Sequence, residues 1–297
     1  MSTAENTATD PATSSSTNDV TARVRDSALG EFAESLHQLN ASSAAFFDLD
    51  RTLITGSSAF VFGVSAWRRK MISTPMFAKD AAGAIAFKLR GDRGGDVAAE
   101  VRQRILGAVK GVAYDDLVGL NESILPKLLE RVRPESKNLV EMHRRKGRAT
   151  YIVSASPREL VEPLAKAMNM TDGIGTASEI VQGHYTGELA GPFCYGQGKV
   201  DAMVELARWE GFDLAQCYGY SDSISDLPML EAVGHPVAVN PDADLRDIAL
   251  ERGWPVVTFA RRTKAVIRRT SAGIAAVAVA GGSFAAGIKV GKHVASV

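Results

Sequence analysis

The stretch AAFFDLDRTLITG, residues 44–56, carries two aspartates, Asp48 and Asp50, directly after an apolar run. The run from Ala44 to Phe47 is typical of a buried strand. Burying a carboxylate costs free energy, and burying two that repel each other costs more. Such a pair is therefore expected only where a bound cation offsets the repulsion or a reaction requires both groups. The pair by itself fits either a capped turn or a site of catalysis and metal binding.

Further polar groups follow other apolar runs. Ser154 ends the run ATYIVS, and Lys199 lies in a helical stretch that opens with glycines. Asp222 and Asp226 follow the run AQCYGY. Taken singly, these residues fit helix caps and solvated charges, but their order along the chain favours one common site.

The chemistry that these groups favour is phosphoryl transfer. A serine hydroxyl beside free helix N-terminal amides suits an anion. Mg²⁺ takes oxygen ligands from one or two carboxylates together with phosphate and water. The metal and Lys199 would neutralise phosphate charge, and a carboxylate can attack phosphorus to form an aspartyl-phosphate.

The elements that must position these residues alternate between strands and helices. This alternation predicts an α/β fold with a Rossmann-like parallel sheet, in which ligands bind beyond the carboxyl ends of the strands. Residues 179–189 predict a hairpin appended to the sheet. The predicted strands cover 44–49, 149–154, 173–178, 215–220, 236–239 and 255–259, and the predicted helices lie near 157–170, 197–210 and 225–233.

The interval between the first two predicted strands is too long for a single crossover. Residues 57–145 have a helical pattern and are predicted to form an inserted, all-helical cap over the carboxyl edge of the sheet. Such a lid would exclude water from Asp48. The core would then consist of residues 41–56 and 146–260.

The composition is that of a globular protein, with 45% apolar and 23% charged residues. The number of Lys and Arg residues equals the number of Asp and Glu residues, 34 each. The net charge is therefore zero and does not indicate a nucleic-acid partner. Cys194 and Cys217 are too few for a disulfide framework or a zinc site, and we expect both to be reduced and buried in a cytoplasmic protein. Trp209 and Trp254 are interpreted as packing residues.

The two ends of the chain differ from its centre. Residues 1–40 lack the apolar segment of a secretory signal and are expected to be disordered, with an amphipathic helix fitting 21–40. Residues 261–297 combine a basic flank with an Ala/Gly-rich apolar tail, in which 270–288 carries no charge. That tail either anchors the protein to the cytoplasmic face of a membrane or is a buried or disordered segment.

The motifs Asp48-Leu-Asp50-Arg-Thr52, Ser154, Lys199 and SDSISD resemble, in this order, the four motifs of the haloacid dehalogenase superfamily of phosphohydrolases. The sequence YSDSISDLPML is similar to the corresponding motif of the subfamily IB hydrolases, which are relatives of phosphoserine phosphatase. The helical insert resembles the type-I cap of that superfamily.

The resemblance implies a role for each carboxylate. Asp48 would be the nucleophile, and Asp50 would be the general acid and then the base that activates water. The Asp48 carboxylate, the Asp50 carbonyl and Asp222 would hold Mg²⁺.

The resemblance also implies which residues contact the phosphoryl group. Thr52, Ser154 and Lys199 would bind it, and Asp226 would hold Lys199 in position. The implied enzyme is a Mg²⁺-dependent phosphatase whose substrate is a small phosphorylated metabolite, similar to phosphoserine, or a lipid headgroup phosphate.

Two positions depart from the phosphoserine phosphatase pattern. Ser57 aligns with a glutamate that recognises the substrate's amino group, and Ser225 stands where asparagine is usual. Two other classes of function remain open: a phospho-acceptor signalling domain and a catalytically silent, membrane-tethered binding module. The second aspartate, Asp50, and the large insert argue against a signalling domain. A catalytically silent module is disfavoured because every position that the catalytic motifs require is filled.

Overall fold

A computed structural model describes residues 43–72, 74–75, 97–259 and 265–268 of the chain. The predicted helix at 21–40 and the apolar tail at 270–288 lie outside these described residues. Tethering to a membrane through that tail therefore stays a prediction. Within the described part of the chain, no helix is both long and apolar enough to cross a bilayer.

Seven of the described strands form one sheet, in the order β3-β2-β1-β6-β7-β8-β9. All neighbouring pairs are parallel except β8 and β9, which are antiparallel. This sheet, with helices packed against it, confirms the predicted α/β, Rossmann-like fold. The strands are β1 (Ala44–Phe47), β2 (Ala149–Pro157), β3 (Asp172–Thr176), β4 (Ser178–Val181), β5 (His184–Leu189), β6 (Tyr218–Ser221), β7 (His235–Val239), β8 (Val256–Phe259) and β9 (Ala265–Arg268).

The helices lie between these strands, and several of them pack against the main sheet. They are α1 (Ser58–Arg68), α2 (Val97–Val109), α3 (Tyr114–Gly119), α4 (Asn121–Leu129), α5 (Pro134–Arg145), α6 (Arg158–Ala167), α7 (Gln197–Glu210), α8 (Leu227–Glu231) and α9 (Ala243–Glu251). Because side chains alternate along a strand, β1 contributes Phe47 to one apolar cluster and Phe46 to another. Strand β1, in the interior of the sheet, is thus buried on both sides, as its apolar sequence predicts.

The helical segment between β1 and β2 is continuous with the core. Ile124 and Leu128 of α4 share the apolar cluster of Phe47, and α4 packs against α6. Helix α5 packs against β1 and β2, so it belongs to the layer over the sheet although it lies within the predicted cap range, 57–145.

The hairpin of β4 and β5 forms a separate two-stranded sheet, so the prediction that it extends the main sheet was wrong. The hairpin instead bonds to the loop between α2 and α3: Tyr185 N donates to Val112 O over 3.0 Å, and Gly111 N donates to Tyr185 O over 2.8 Å. The Tyr185 side chain is buried with Val109 and Leu117 of the helical segment. This apolar contact draws the hairpin away from the sheet.

Other local predictions can be compared directly with the structure. Strand β6 begins later than predicted because Leu214–Gln216 forms a 3₁₀ turn, in which Asp213 Oδ1 accepts from Ala215 N over 2.9 Å. The assignment of Trp209 to packing was wrong, since 83% of it is exposed, whereas Trp254 packs against an apolar cluster. Both cysteines are free and buried, as expected.

Candidate active site

The register of the sheet brings three sequence motifs together at one edge. Phe47 of β1 pairs with Ile152 of β2 on one side and with Tyr220 of β6 on the other. The residues that follow these positions therefore emerge side by side at the carboxyl edge. They are Asp48 after β1, Ser154 near the end of β2, and Asp222 after β6.

Lys199 lies at the centre of the site and is only 2% exposed. Its Nζ donates to Asp48 Oδ1 over 2.7 Å and to Asp226 Oδ2 over 2.9 Å. Ser221 Oγ donates to the same Asp226 oxygen over 2.6 Å, which fixes that carboxylate. The predicted contact between Asp226 and Lys199 is thus present.

Burial and charge oppose each other in this cluster. Burial raises the pKa of Asp48 to about 7, against the attraction of Lys199, which lowers it. Burial disfavours the charged form of Lys199, but attraction by Asp226 and Asp48 outweighs it and raises the pKa of the ammonium. Lys199 is therefore a permanent cation beside the carboxyl group of Asp48.

Asp222 lies next to Asp48 and has its own set of contacts. Burial, followed by repulsion from Asp48, raises the pKa of Asp222 to about 8. Arg51 Nε lies 2.9 Å from Asp222 Oδ2, and Thr52 Oγ1 donates to Asp222 Oδ1 over 3.4 Å. The Thr52 hydroxyl thus faces a predicted metal ligand, and its contact with phosphate stays a prediction.

Asp50 is partly buried and turns away from the Lys199 contacts toward the start of α1. Its Oδ1 accepts from Ser58 N over 2.8 Å, and its Oδ2 accepts from Ser57 Oγ over 3.2 Å. Burial raises the pKa of Asp50, and the hydrogen bonds from Ser58 and Ser57 oppose this shift.

Ser154 is buried, and its Oγ accepts from Ser156 N over 3.2 Å. Ser156 Oγ lies 2.9 Å from Ser58 Oγ, so hydrogen bonds connect the end of β2 to the start of α1. Every predicted site residue therefore lies at the same edge of the sheet.

Sequence reasoning missed several residues that shape this site. Arg51 lies inside the first motif with a positive φ of 64°, which places its side chain beside Asp222. Asp242 N donates to Asp222 O over 2.8 Å, and Asp242 Oδ2 accepts from Ile224 N over 2.9 Å. The sequence analysis named Ser57 only as the counterpart of a substrate-binding glutamate. Its role as a helix N-cap could also have been recognised, because it precedes an apolar run, but its bond to Asp50 depends on tertiary structure.

Comparison with known proteins identifies the family. A family model described as haloacid dehalogenase-like hydrolase matches residues 45–231. The chain belongs to this family. The match confirms the resemblance and the prediction that the protein is a hydrolase.

Two relatives of this haloacid dehalogenase-like hydrolase match most of its length. A phosphoserine phosphatase of Mycobacterium tuberculosis is 36% identical over 253 residues, which cover 84% of this chain and 80% of that protein. The inhibition of morphological differentiation protein of Streptomyces azureus is 37% identical over 221 residues, covering 74% of this chain and 79% of that protein.

Solved structures support the same fold. A protein of unknown function from Bordetella pertussis has a TM-score of 0.65 at 27% identity, over 73% of this chain and 98% of that chain. A substrate-bound phosphoserine phosphatase has a TM-score of 0.52 at 14% identity, over 69% of this chain and 90% of that chain. At this identity the second comparison shows the fold alone.

Proposed function

We propose that this chain is a Mg²⁺-dependent phosphatase that hydrolyses a phosphate monoester through an aspartyl-phosphate on Asp48. The observation that carries the proposal is the contact of the buried Asp48 carboxylate with Lys199 at the carboxyl edge of the sheet. The hydrolase family and the phosphatase name of the M. tuberculosis relative support it.

The residues present suit a magnesium ion. Burial raises the pKa of both Asp48 and Asp222, and repulsion from neighbouring carboxylates adds to it, from Asp226 and Asp50 at Asp48 and from Asp48 at Asp222. A divalent cation would offset both effects. Among the described residues, no three His, Cys, Asp or Glu side chains form a metal-binding group. The proposed ligands are instead two carboxylates and the Asp50 carbonyl, a set that Mg²⁺ accepts together with water and phosphate oxygens. The ion would supply positive charge opposite the phosphoryl oxygens.

Side chains of the protein carry out the nucleophilic attack, the binding of the phosphoryl group and the proton transfers. An Asp48 oxygen attacks phosphorus, while Lys199 and the Ser154 hydroxyl bind the phosphoryl oxygens. Asp50 gives a proton to the leaving oxygen and then takes one from the attacking water. Asp226 and Ser221 keep Lys199 directed at the site.

The proposal retains a division into a core, residues 41–56 and 146–260, and a helical cap within 57–145. Because α5 packs on the sheet, the cap would be formed by the segment before it. The β4–β5 hairpin would belong to the same cap, since it is hydrogen-bonded to the loop between α2 and α3.

The proposed substrate is a small phosphorylated metabolite or a lipid headgroup phosphate. Phosphoserine is named for the M. tuberculosis relative. In this chain Ser57 stands at the position aligned with a substrate-binding glutamate, and its hydroxyl donates to Asp50 instead. We therefore expect a preference among phosphate esters that differs from that of a dedicated phosphoserine phosphatase.

The Asp48→Asn variant tests the proposed chemistry. Wild-type protein with Mg²⁺ should release phosphate from an aryl phosphate, and the variant should lose at least ~10³-fold in kcat because its amide is a poor nucleophile. Asp213→Asn is the matched control, since Asp213 caps a 3₁₀ turn outside the site. Full activity in Asp48→Asn would refute the proposal, and a phospho-enzyme that lasts minutes would indicate a signalling domain instead.

A further inference from the structure

Glu159 is a buried acidic residue to which the proposed mechanism gives no role. It lies in the first turn of α6, five positions after Ser154, and is only 8% exposed. Its Oε2 is buried and has no hydrogen-bond partner among the described residues. Because buried polar atoms in native proteins are nearly always hydrogen-bonded, we expect this oxygen to receive its partner from a bound molecule.

The β4–β5 hairpin brings a second unpaired polar group to Glu159. Tyr185 is 2% exposed, and its Oη likewise has no hydrogen-bond partner within the described part of the chain. Burial raises the pKa of the Tyr185 phenol, and the nearby Glu159 carboxylate raises it further. Helix α3 packs against α6, and the ring centroid of its Tyr114 lies 6.3 Å from that of Tyr185. A carboxylate and two tyrosines therefore lie together at the start of α6.

This cluster lies at the same edge of the sheet as the proposed reaction site. Strand β2 leads directly into α6, so the first turn of α6 begins at the carboxyl edge. Helix α1 provides a second connection: Ser58 N donates to Asp50 Oδ1, and Phe62, about one helical turn further on, packs against the apolar cluster of Tyr185. The cluster is therefore placed to contact the alcohol part of a phosphate ester rather than its phosphate.

The chemistry of the cluster selects a cation. A carboxylate carries negative charge and only accepts hydrogen bonds, so the N–H groups of an ammonium complement it. The faces of tyrosine rings also attract organic cations. A second carboxylate would be repelled by Glu159, and an uncharged hydroxyl would leave the charge of Glu159 uncompensated. An organic ammonium group therefore matches the cluster best.

We propose that Glu159, Tyr185 and Tyr114 form a subsite for an ammonium group on the alcohol part of the substrate. The inference rests on the proposed function and names the class of ester within it, the phosphate of an amino alcohol. Glu159 belongs to the core and the two tyrosines to the proposed cap. An ammonium bound among them is therefore held by both parts of the protein while its phosphate lies beside Asp48.

Aminoalkyl phosphates and their neutral isosteres test this preference. In 2-aminoethyl phosphate and n-propyl phosphate an ammonium and a methyl group occupy the same position, and pairs with longer alkyl chains extend the reach. Since a hydrogen bond to a charged group is lost in the isostere, at least one ammonium ester should have a kcat/KM ~10-fold or more above its partner. Equal values within every pair, with p-nitrophenyl phosphate hydrolysed, would overturn the inference. Hydrolysis of no ester at all would instead overturn the proposed function.

Glu159→Gln removes the negative charge and keeps the shape of the side chain. It should reduce the preference for the ammonium ester to about 2-fold or less, while kcat/KM for the neutral isostere stays within about 2-fold of wild type. The variant also removes an unpaired buried charge, so its free energy of unfolding should not fall. Equal losses for both esters, together with lower stability, would show that Glu159 only supports the fold and would contradict the inference.

Glu162→Gln is the matched control, because it makes the same change about one turn later in α6. Glu162 is half-buried, and its Oε1 lies 3.7 Å from Arg158 Nε, so its charge already has a partner. This variant should keep the wild-type preference, and a lost preference would contradict the inference. Tyr185→Phe, which removes only the hydroxyl, should weaken the preference, and it decides the question should Glu159→Gln fail to fold.

Discussion

The Lys199 ammonium lies 2.7 Å from Asp48 Oδ1, although the two residues are 151 positions apart in the chain. The same ammonium contacts Asp226, which lies 27 positions further on. One buried cation therefore joins three motifs at the edge of the sheet. It neutralises buried carboxylates, so it stabilises the fold, and it faces the proposed nucleophile.

Replacing Lys199 by methionine should destabilise the protein. The change leaves Asp48 and Asp226 buried without their cation, and breaking a buried pair in this way costs about 3–5 kcal/mol. Urea unfolding of Lys199→Met measures the cost, with Lys166→Met on the exposed face of α6 as control. Adding Asp226→Asn should recover part of the lost stability, because it removes one of the two uncompensated carboxylates. A Lys199→Met variant as stable as wild type would show that the ion pairs of Lys199 contribute little to stability.

Magnesium should stabilise the folded protein through Asp222. A ligand that binds only the native state at about 100 times its Kd adds about 2.7 kcal/mol, so Mg²⁺ should raise the midpoint of thermal unfolding. Asp222→Asn should weaken this effect because it removes one proposed ligand, and a chelator should abolish activity until Mg²⁺ is returned. If Asp222→Asn responds to Mg²⁺ as strongly as wild type, the proposed ligand set is wrong.

His143 should make stability depend on pH. It is buried with its Nε2 2.7 Å from Tyr220 Oη and its Nδ1 3.2 Å from Arg148 Nη1. Burial, followed by repulsion from Arg148 and Lys146, lowers the pKa of His143 from 6.5 to about 3. Below pH 6.5 His143 becomes protonated in the unfolded chain but stays neutral in the folded chain. The free energy of unfolding therefore falls as the pH falls from 6.5 toward 3.

The size of this effect can be measured with His143→Gln. Each pH unit in that window should cost wild type about 1.4 kcal/mol more than the variant, because one more proton separates its unfolded and folded states. His184→Gln, at an exposed histidine, is the matched control for the substitution itself. Parallel curves for wild type and His143→Gln would mean that this histidine is charged in the folded protein.

Gly198 should not tolerate a methyl group. A Cβ at this position would lie 1.8 Å from Phe193 O, so the start of α7 would have to move, and Lys199 with it. Gly198→Ala should therefore lose about 1–3 kcal/mol of stability and also lower kcat. In Gly107→Ala, the control, a Cβ meets nothing within 4 Å inside α2, so stability should rise by about 0.4–1 kcal/mol. The opposite order of the two variants would contradict the described packing.

Much of the fold could be predicted because local patterns and tertiary structure agree. The run Ala44–Phe47 is apolar throughout and becomes an interior strand of the sheet, buried on both faces. The β4–β5 hairpin was predicted as a hairpin but assigned to the wrong sheet, since its alternation does not show which surface Tyr185 will contact. The exposure of Trp209 was missed for the same reason: a large apolar residue on a helix indicates burial only when something packs against it.

The order of Asp48, Ser154, Lys199 and Asp222, each beside the end of a strand or the start of a helix, is a property of the sequence alone. In a parallel sheet this order already requires that the motifs meet at one edge. The tertiary structure decided the individual contacts, including the bonds of Ser57 and Ser58 to Asp50 and of Arg51 to Asp222. Such contacts depend on distances of a few ångströms between separate elements, which packing determines and residue spacing does not.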